Sequence, residues 1–157
     1  MKNHLKLAVC FVPLSASLLL AAALFLHGQS SGGEGYRREI RITPLLRTTT
    51  TASGQPIAYP QVAQPEVISV LVEIPPGAET GWHRHPVPCY AYILSGSLSV
   101  EIEGGKTNVL TAGQALAETV QTLHNGKNKG TEPVKLVMFV TGEKGAPFTI
   151  RAENPRP

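Results

Sequence analysis

The sequence predicts an all-β domain, because the signals of short strands and tight turns run through most of the chain. Residues 98–103 alternate apolar and polar side chains, which is the period of a half-buried strand. Turn sequences such as Pro75-Pro76-Gly77 and Gly104-Gly105 separate short apolar runs. Outside the first 30 residues, helical periodicity is almost absent. Short strands at this spacing predict a sandwich or a barrel.

Six segments carry a strand pattern, each for a local reason. The segment at 39–47 is broken by a proline, and the one at 67–74 is an apolar run that ends at the Pro-Pro-Gly turn. The segments at 98–102 and 106–110 flank a Gly-Gly turn that predicts a hairpin. The third and the last are short runs rich in aromatic or β-branched residues. In order, these segments are residues 39–47, 67–74, 90–94, 98–102, 106–110 and 134–140.

The first 30 residues have the layout of a secretory signal peptide, since two lysines precede an apolar run from Leu7 to Leu26 and small and polar residues follow. We expect cleavage between Gly28 and Gly33, with export to the periplasm or the extracellular space. The apolar run also approaches the roughly 20 residues that span a bilayer. An uncleaved anchor, which would hold the protein at a membrane, is therefore the alternative.

The rest of the chain predicts one domain. We expect an extended leading segment with the first strand at residues 31–60, the barrel at 61–152 and a loose tail at 153–157. The chain has 14 basic and 11 acidic side chains, and two of the lysines lie in the leader, so the domain is close to neutral and no nucleic-acid surface is predicted. Cys89 is its only cysteine, which excludes an internal disulfide.

Three histidines of this domain point to a metal site. His83 and His85 are two residues apart, so a strand would place both imidazoles on one face, and His124 is the third histidine beyond the leader. Neutral imidazoles bind Fe, Zn, Cu, Ni or Mn. Three of them leave coordination positions open for water, substrate or dioxygen.

The spacing around these histidines resembles the two motifs of the cupin superfamily. In the first motif five residues separate Gly77 from His83-x-His85, and Cys89 and Gly96 follow; in the second, Gly113 and Thr119 precede His124 and Asn128. The resemblance implies a single double-stranded β-helix, a jelly-roll-like barrel. It also implies a divalent transition metal held by the three histidines, with Fe favoured and Mn, Ni, Cu or Zn as alternatives.

Cys89 departs from the family, which usually has Glu at this position. Three interpretations stay open: a three-histidine site without a carboxylate, as in thiol dioxygenases and diketone-cleaving cupins; a Cys89 thiolate as fourth ligand; or a small buried residue. If Cys89 faces the interior, Ala91 and Ile93 follow on the same face and should line the cavity.

Glu118 lies directly before Thr119 of the second motif. It is a candidate fourth ligand, hydrogen-bonding partner of a ligating imidazole, or acid/base group. The alternative is an exposed loop carboxylate.

The function expected from the resemblance is an exported oxidoreductase, an oxygenase of the quercetin- or diketone-cleaving type that acts on a small organic substrate. The first alternative is a non-catalytic, metal-containing cupin that binds a small molecule. A metal-dependent isomerase or epimerase of the sugar-processing type is ranked last, because the added His and Asp pair for acid and base work is missing. Exposed strand edges and a face that carries Tyr90 and Tyr92 also suggest a homodimer.

Overall fold

The computed structural model describes residues 40–153. The signal or anchor segment, the start of the leading segment and residues 154–157 of the tail lie outside this range, so these assignments stay predictions. The chain separates into two units, Met1–Ile42 and Thr43–Pro157, and the fold below is that of the second. Only residues 40–42 of the first unit are described. Within residues 40–153, no helix has the length and apolar character needed to cross a bilayer.

The second unit is built of strands, which confirms the predicted fold class. Residues 43–153 contain no helix. The strands are β1 (Pro65–Ile74), β2 (His83–Arg84), β3 (Cys89–Ser95), β4 (Ser97–Ile102), β5 (Thr107–Thr111), β6 (Ala115–Ala117), β7 (His124–Lys127), β8 (Val134–Glu143) and β9 (Ile150–Arg151).

The strands form two antiparallel sheets. One has the order β1-β8-β3-β6 and the other the order β5-β4-β7-β2-β9. The longest pairing joins β1 to β8 along ten residues of each strand, from Pro65 opposite Glu143 to Ile74 opposite Val134. Alternate residues of β8 are buried, and they form one hydrophobic core with residues from β1, β3, β4 and β5. The core therefore lies between the two sheets, and each fully buried Val, Leu or Ile side chain contributes about 1.5–3 kcal/mol.

The predicted strand at 39–47 is wrong for the part that is described. Residues 40–47 have no strand pairing, and their large apolar side chains, including Leu45 and Leu46, are exposed. Pro44 contributes to this result, because proline has no N–H to give to a ladder. The other five predicted strands are confirmed with shifts of up to three residues at their ends.

Two motif residues have structural roles. Gly96 joins β3 to β4 at a φ of 77°, and a Cβ there would lie 2.8 Å from the Pro133 carbonyl oxygen. Asn128 is buried; its Nδ2 donates to the carbonyls of Ile74 and Glu132, both at 2.9 Å. Asn128 therefore ties the end of β1 to the loop after β7.

The other motif glycines, Gly77 and Gly113, also have positive φ values, of 74° and 89°. At both positions a Cβ would have nothing within 4 Å. They serve turns, and the space beside them is open.

Candidate metal centre

Three neighbouring strands place the site residues in one row. His124 on β7 pairs with His83 on β2, and His83 also pairs with Arg151 on β9. Residues directly opposite each other in a sheet project to the same face. His85 lies two residues beyond His83, so its side chain joins this row from the same face.

The three imidazoles converge as the sequence predicts. The ring centroids of His83 and His124 are 4.4 Å apart, and both are 5.0 Å from that of His85. Among residues 40–153 these three side chains form the one group of metal-ligating atoms that lie within 4.8 Å of one another. Their position as metal ligands stays a prediction, and the geometry it requires is present.

Backbone carbonyls fix the tautomer of each ring. A carbonyl oxygen only accepts, so the Nδ1 atom that contacts it carries the proton, and Nε2 keeps its lone pair in the neutral ring. The Nδ1–H groups of His83, His85 and His124 donate to the carbonyls of Gly81 at 2.7 Å, Phe148 at 2.7 Å and Thr122 at 3.0 Å. Such outer hydrogen bonds orient imidazoles that bind metals.

Glu118, the residue directly after β6, brings a carboxylate against the cluster of imidazoles. Its side chain is only 12% exposed, and its Oε2 lies 2.9 Å from His85 Nε2 and 3.3 Å from His124 Nε2. Although His124 Nε2 is within ion-pair distance, it is buried and has no hydrogen bond. The exposed-loop alternative for Glu118 is therefore wrong. The Glu118 carboxylate lies against two of the imidazoles, while the group of ligand atoms close enough to one another to share an ion consists of the three histidines, so the three-histidine interpretation stays a prediction.

The arrangement of the Glu118 oxygen and the imidazole nitrogens fits a bound metal ion. The Glu118 oxygen and the two Nε2 lone pairs are all acceptors, so they approach this closely only if a cation, either a proton or a metal ion, lies between them. Adjacent ligands with metal bonds of about 2.1 Å are separated by about 3 Å. The observed contacts of 2.9 and 3.3 Å match that separation.

The electrostatics show where the proton lies without a metal. Burial lowers the pKa of His85, but the Cys89 thiol and the Glu118 carboxylate more than offset it and raise this pKa to about 10. Burial also raises the pKa of Glu118, while the adjacent His124 and His85 imidazoles more than offset this and hold it below its usual range. The metal-free site therefore contains a His85 imidazolium beside a Glu118 carboxylate at neutral pH.

His83 is held in the opposite state. Burial is the main cause that lowers its pKa to about 4, and the hydrogen bond to the Gly81 carbonyl offsets only part of this effect. Its Nε2 is consequently free of a proton at neutral pH and ready to bind a cation.

Cys89 fits the third interpretation, that of a small buried residue. It is 1% exposed, and its thiol contacts the Val87 carbonyl at 3.5 Å. Burial is the main cause that raises its pKa, which disfavours the thiolate that a metal ligand needs. Its backbone carbonyl accepts the Glu118 N–H at 2.9 Å, so Cys89 helps to position that glutamate.

A cavity of about 200 Å³ opens beside the imidazoles. Polar groups at this cavity include Thr80, Thr149 and Arg151. Most of its wall is apolar and comes from β1, β4 and β8: Val72, Ile74, Leu98, Val100, Leu136 and Met138.

Ala91 and Ile93 do not line this cavity, so that prediction is wrong. Both are buried in the core on β3, opposite Met138 and Leu136 of β8. The longer side chains of these β8 partners reach the cavity instead.

Two residues of the site were not predicted. Phe148 supplies the carbonyl that fixes His85, and Arg151 lines the cavity. The only local signal for either was the short apolar and β-branched run at 148–150.

With this barrel and this cluster of imidazoles, the chain belongs to the cupin superfamily. The family described as "Cupin domain" matches residues 70–140, which include all three histidines. Together the family and the cluster indicate a metal-binding cupin.

The relatives include the β-alanine degradation protein BauB of Pseudomonas aeruginosa. It is 39% identical over 89 residues, which cover 54% of this chain and 94% of BauB.

Similar solved structures include three proteins of low sequence identity. An uncharacterised Klebsiella pneumoniae protein with a double-stranded β-helix domain has 23% identity and a TM-score of 0.48, with 60% of this chain and 90% of that chain covered. Bacillus subtilis oxalate decarboxylase has 24% identity and a TM-score of 0.49, and the match covers 54% of this chain and 23% of the enzyme. The DMSP lyase DddQ from Ruegeria pomeroyi has 19% identity and a TM-score of 0.49, and the match covers 55% of this chain and 43% of DddQ.

Proposed function

We propose that this protein is a metal-dependent cupin enzyme that acts on a small organic substrate. The observation that carries the proposal is the close approach of the Glu118 carboxylate to two imidazole nitrogens, at 2.9 and 3.3 Å, beside a largely apolar cavity. A cation satisfies all of these acceptors, and the cavity gives a small molecule access to it. The BauB relative, whose name concerns degradation of β-alanine, supports an action on small molecules.

His83, His85 and His124 would hold the ion, with Glu118 as a fourth ligand or as a base. When bound, a divalent transition metal supplies Lewis acidity and, if it is Fe, chemistry with dioxygen. We propose Fe with an oxygenase activity of the diketone-cleaving type. Glu118 is ionised at neutral pH because its pKa lies below the usual range, which suits a metal ligand; as a base it would be weak and would take only an acidic substrate proton.

One observation favours a non-catalytic binding cupin as the second candidate. Glu118 is the one carboxylate that lines the cavity within the described residues. If it stays on the metal throughout, no second base is available. The same shortage of acid and base groups leaves the isomerase alternative in last place.

The first test measures the metal content of purified protein. We expect about one transition-metal ion per chain in the wild type and loss of that ion in a triple His83→Ala, His85→Ala, His124→Ala variant. Arg84→Gln is the matched control, because Arg84 lies between two of the histidines and is exposed. Equal trace metal in wild type and triple variant would refute the metal site.

The second test addresses the reaction. Protein purified without oxygen, loaded with Fe(II) and given enolisable substrates should consume dioxygen, and His124→Ala should abolish this. Bound Fe without oxygen uptake across a broad panel would favour the binding cupin.

We also propose that the protein is exported, on the pattern of its first 30 residues. Cell fractionation and amino-terminal sequencing of the mature chain test this, with cleavage expected between Gly28 and Gly33. A full-length chain recovered from the membrane fraction would favour the anchor.

A further inference from the structure

Arg151 is the one basic side chain, other than the histidines, among the residues that line the cavity. Its position follows from the sheet, because β9 pairs with β2 so that Arg151 lies directly opposite His83. Side chains of such a pair project to the same face, with Cβ atoms about 4.5–5.5 Å apart. The adjacent pair, Arg84 and Ile150, projects to the other face, and Arg84 is exposed.

Arg151 has no acidic partner in the described part of the chain. The ion pairs there join Glu118 to two histidines and three lysines to glutamates on the surface, and none involves Arg151. A guanidinium is always charged, and its planar set of N–H donors matches the two oxygens of a carboxylate. Arg151 is exposed and also lines the cavity, so an unpaired cation lies at the solvent side of the cavity, beside the imidazoles.

The rest of the cavity restricts what this cation can bind. The cavity that Arg151 and His83 line has a mostly aliphatic wall, which favours an apolar body behind the anionic group. The volume of about 200 Å³ is below the roughly 300–1,000 Å³ of pockets that hold drug-sized ligands, so we expect a short body. A carboxylate is smaller than a phosphate group, so it leaves more of this volume to the apolar body.

We propose that Arg151 determines specificity by binding the carboxylate of a short, otherwise apolar carboxylic acid, with the chain of the acid in the aliphatic part of the cavity. The proposal rests on the proposed function for its site, since it makes such an acid the substrate class. It does not depend on which metal is bound or on which reaction follows.

Calorimetric titration of the metal-loaded protein with butyrate, butanamide and butyl phosphate tests this proposal. We expect butyrate to bind, and Arg151→Gln to weaken it about 10- to 100-fold while butanamide stays unaffected. Arg151→Lys should retain part of the butyrate affinity, because it keeps the charge but not the planar pair of donors. Arg84→Gln, the control on the opposite face, should match the wild type.

Two results would overturn the proposal: butyrate binding that survives Arg151→Gln, or butyl phosphate binding tighter than butyrate. Metal content measured on the same variants separates this from the proposed function. If the wild type binds no metal, the proposed function fails. An Arg151-dependent affinity of the metal-free protein for butyrate would still support the carboxylate site.

Discussion

In the proposed metal centre, a proton and a metal ion would compete for the same place. Glu118 Oε2 and His85 Nε2 are 2.9 Å apart, and both keep lone pairs when His85 is neutral. Without a metal the proton on His85 satisfies both atoms, and a divalent ion bound at the proposed site would have to displace it. Metal affinity and pH are linked through this one pair of residues.

We therefore predict that metal binding at pH 7 releases about one proton per ion. Because the pKa of His85 is raised to about 10, its proton stays bound up to that pH and leaves as the pH rises through it. Metal affinity should increase about tenfold per pH unit between pH 7 and about 10 and then level off. Calorimetry in buffers of different ionisation enthalpy measures the released proton.

Glu118→Gln is the control for this linkage, since it removes the carboxylate and keeps the shape of the side chain. The pKa of His85 should fall, so fewer protons are released at pH 7 and the affinity levels off at lower pH. Metal affinity itself should fall about 10- to 100-fold if Glu118 ligates or orients a ligand. Unchanged proton release in this variant would contradict the role given to Glu118.

Some residues of the site could be predicted from the sequence, and others could not. The three histidines follow from strand periodicity and motif spacing. The direction of Glu118 did not follow, because it depends on where the three-residue strand β6 ends. Arg151 was missed for a similar reason, since its place beside His83 exists only through the pairing of β9 with β2, which are distant in the chain.

At the scale of elements, the link between β3 and β4 is fixed by Gly96. We predict that Gly96→Ala destabilises the protein by more than about 2 kcal/mol, because positive φ strain adds to contact with backbone atoms. The added Cβ would lie 2.8 Å from the Pro133 carbonyl oxygen and 2.9 Å from Val134 Cα. Urea unfolding of the metal-free protein measures the loss.

Gly113→Ala is the matched control for this turn. Its φ of 89° brings comparable backbone strain, but a Cβ there has nothing within 4 Å. A loss of about 1 kcal/mol is expected. If both variants lose the same free energy, the close approach of Pro133 is not what requires glycine at position 96.

The elements that the sequence predicts well are long enough to show a pattern. β1 and β8, each of ten residues, and the β4–β5 hairpin with its Gly104-Gly105 turn were all found. β6, β7 and β9 have two to four residues, too few to establish a period. The segment at 39–47 shows the reverse case, in which a strand-like composition finds no pairing partner within the described chain.

For the whole molecule, the site joins segments that are far apart in the chain: the first motif supplies His83 and His85, and the second supplies Glu118 and His124. A metal that binds only the folded protein stabilises it by about 2.7 kcal/mol at a concentration 100 times its Kd. We predict that chelation lowers the Tm by roughly 10 °C. The Tm of the triple histidine variant should not change with the chelator. An unchanged Tm of the wild type after chelation would contradict the stabilisation of the fold by bound metal.

The position of the Glu118 carboxylate also affects the net charge of the proposed metal centre. If Glu118 ligates the proposed ion, a divalent ion, three neutral imidazoles and one carboxylate leave a single positive charge, as they would with the acid in the first motif. Position 89 is thereby released from carrying charge and can hold a small buried residue such as Cys89. Among cupins that lack the usual Glu, a carboxylate next to the Thr119 position is the feature to look for before the centre is classed as purely histidine.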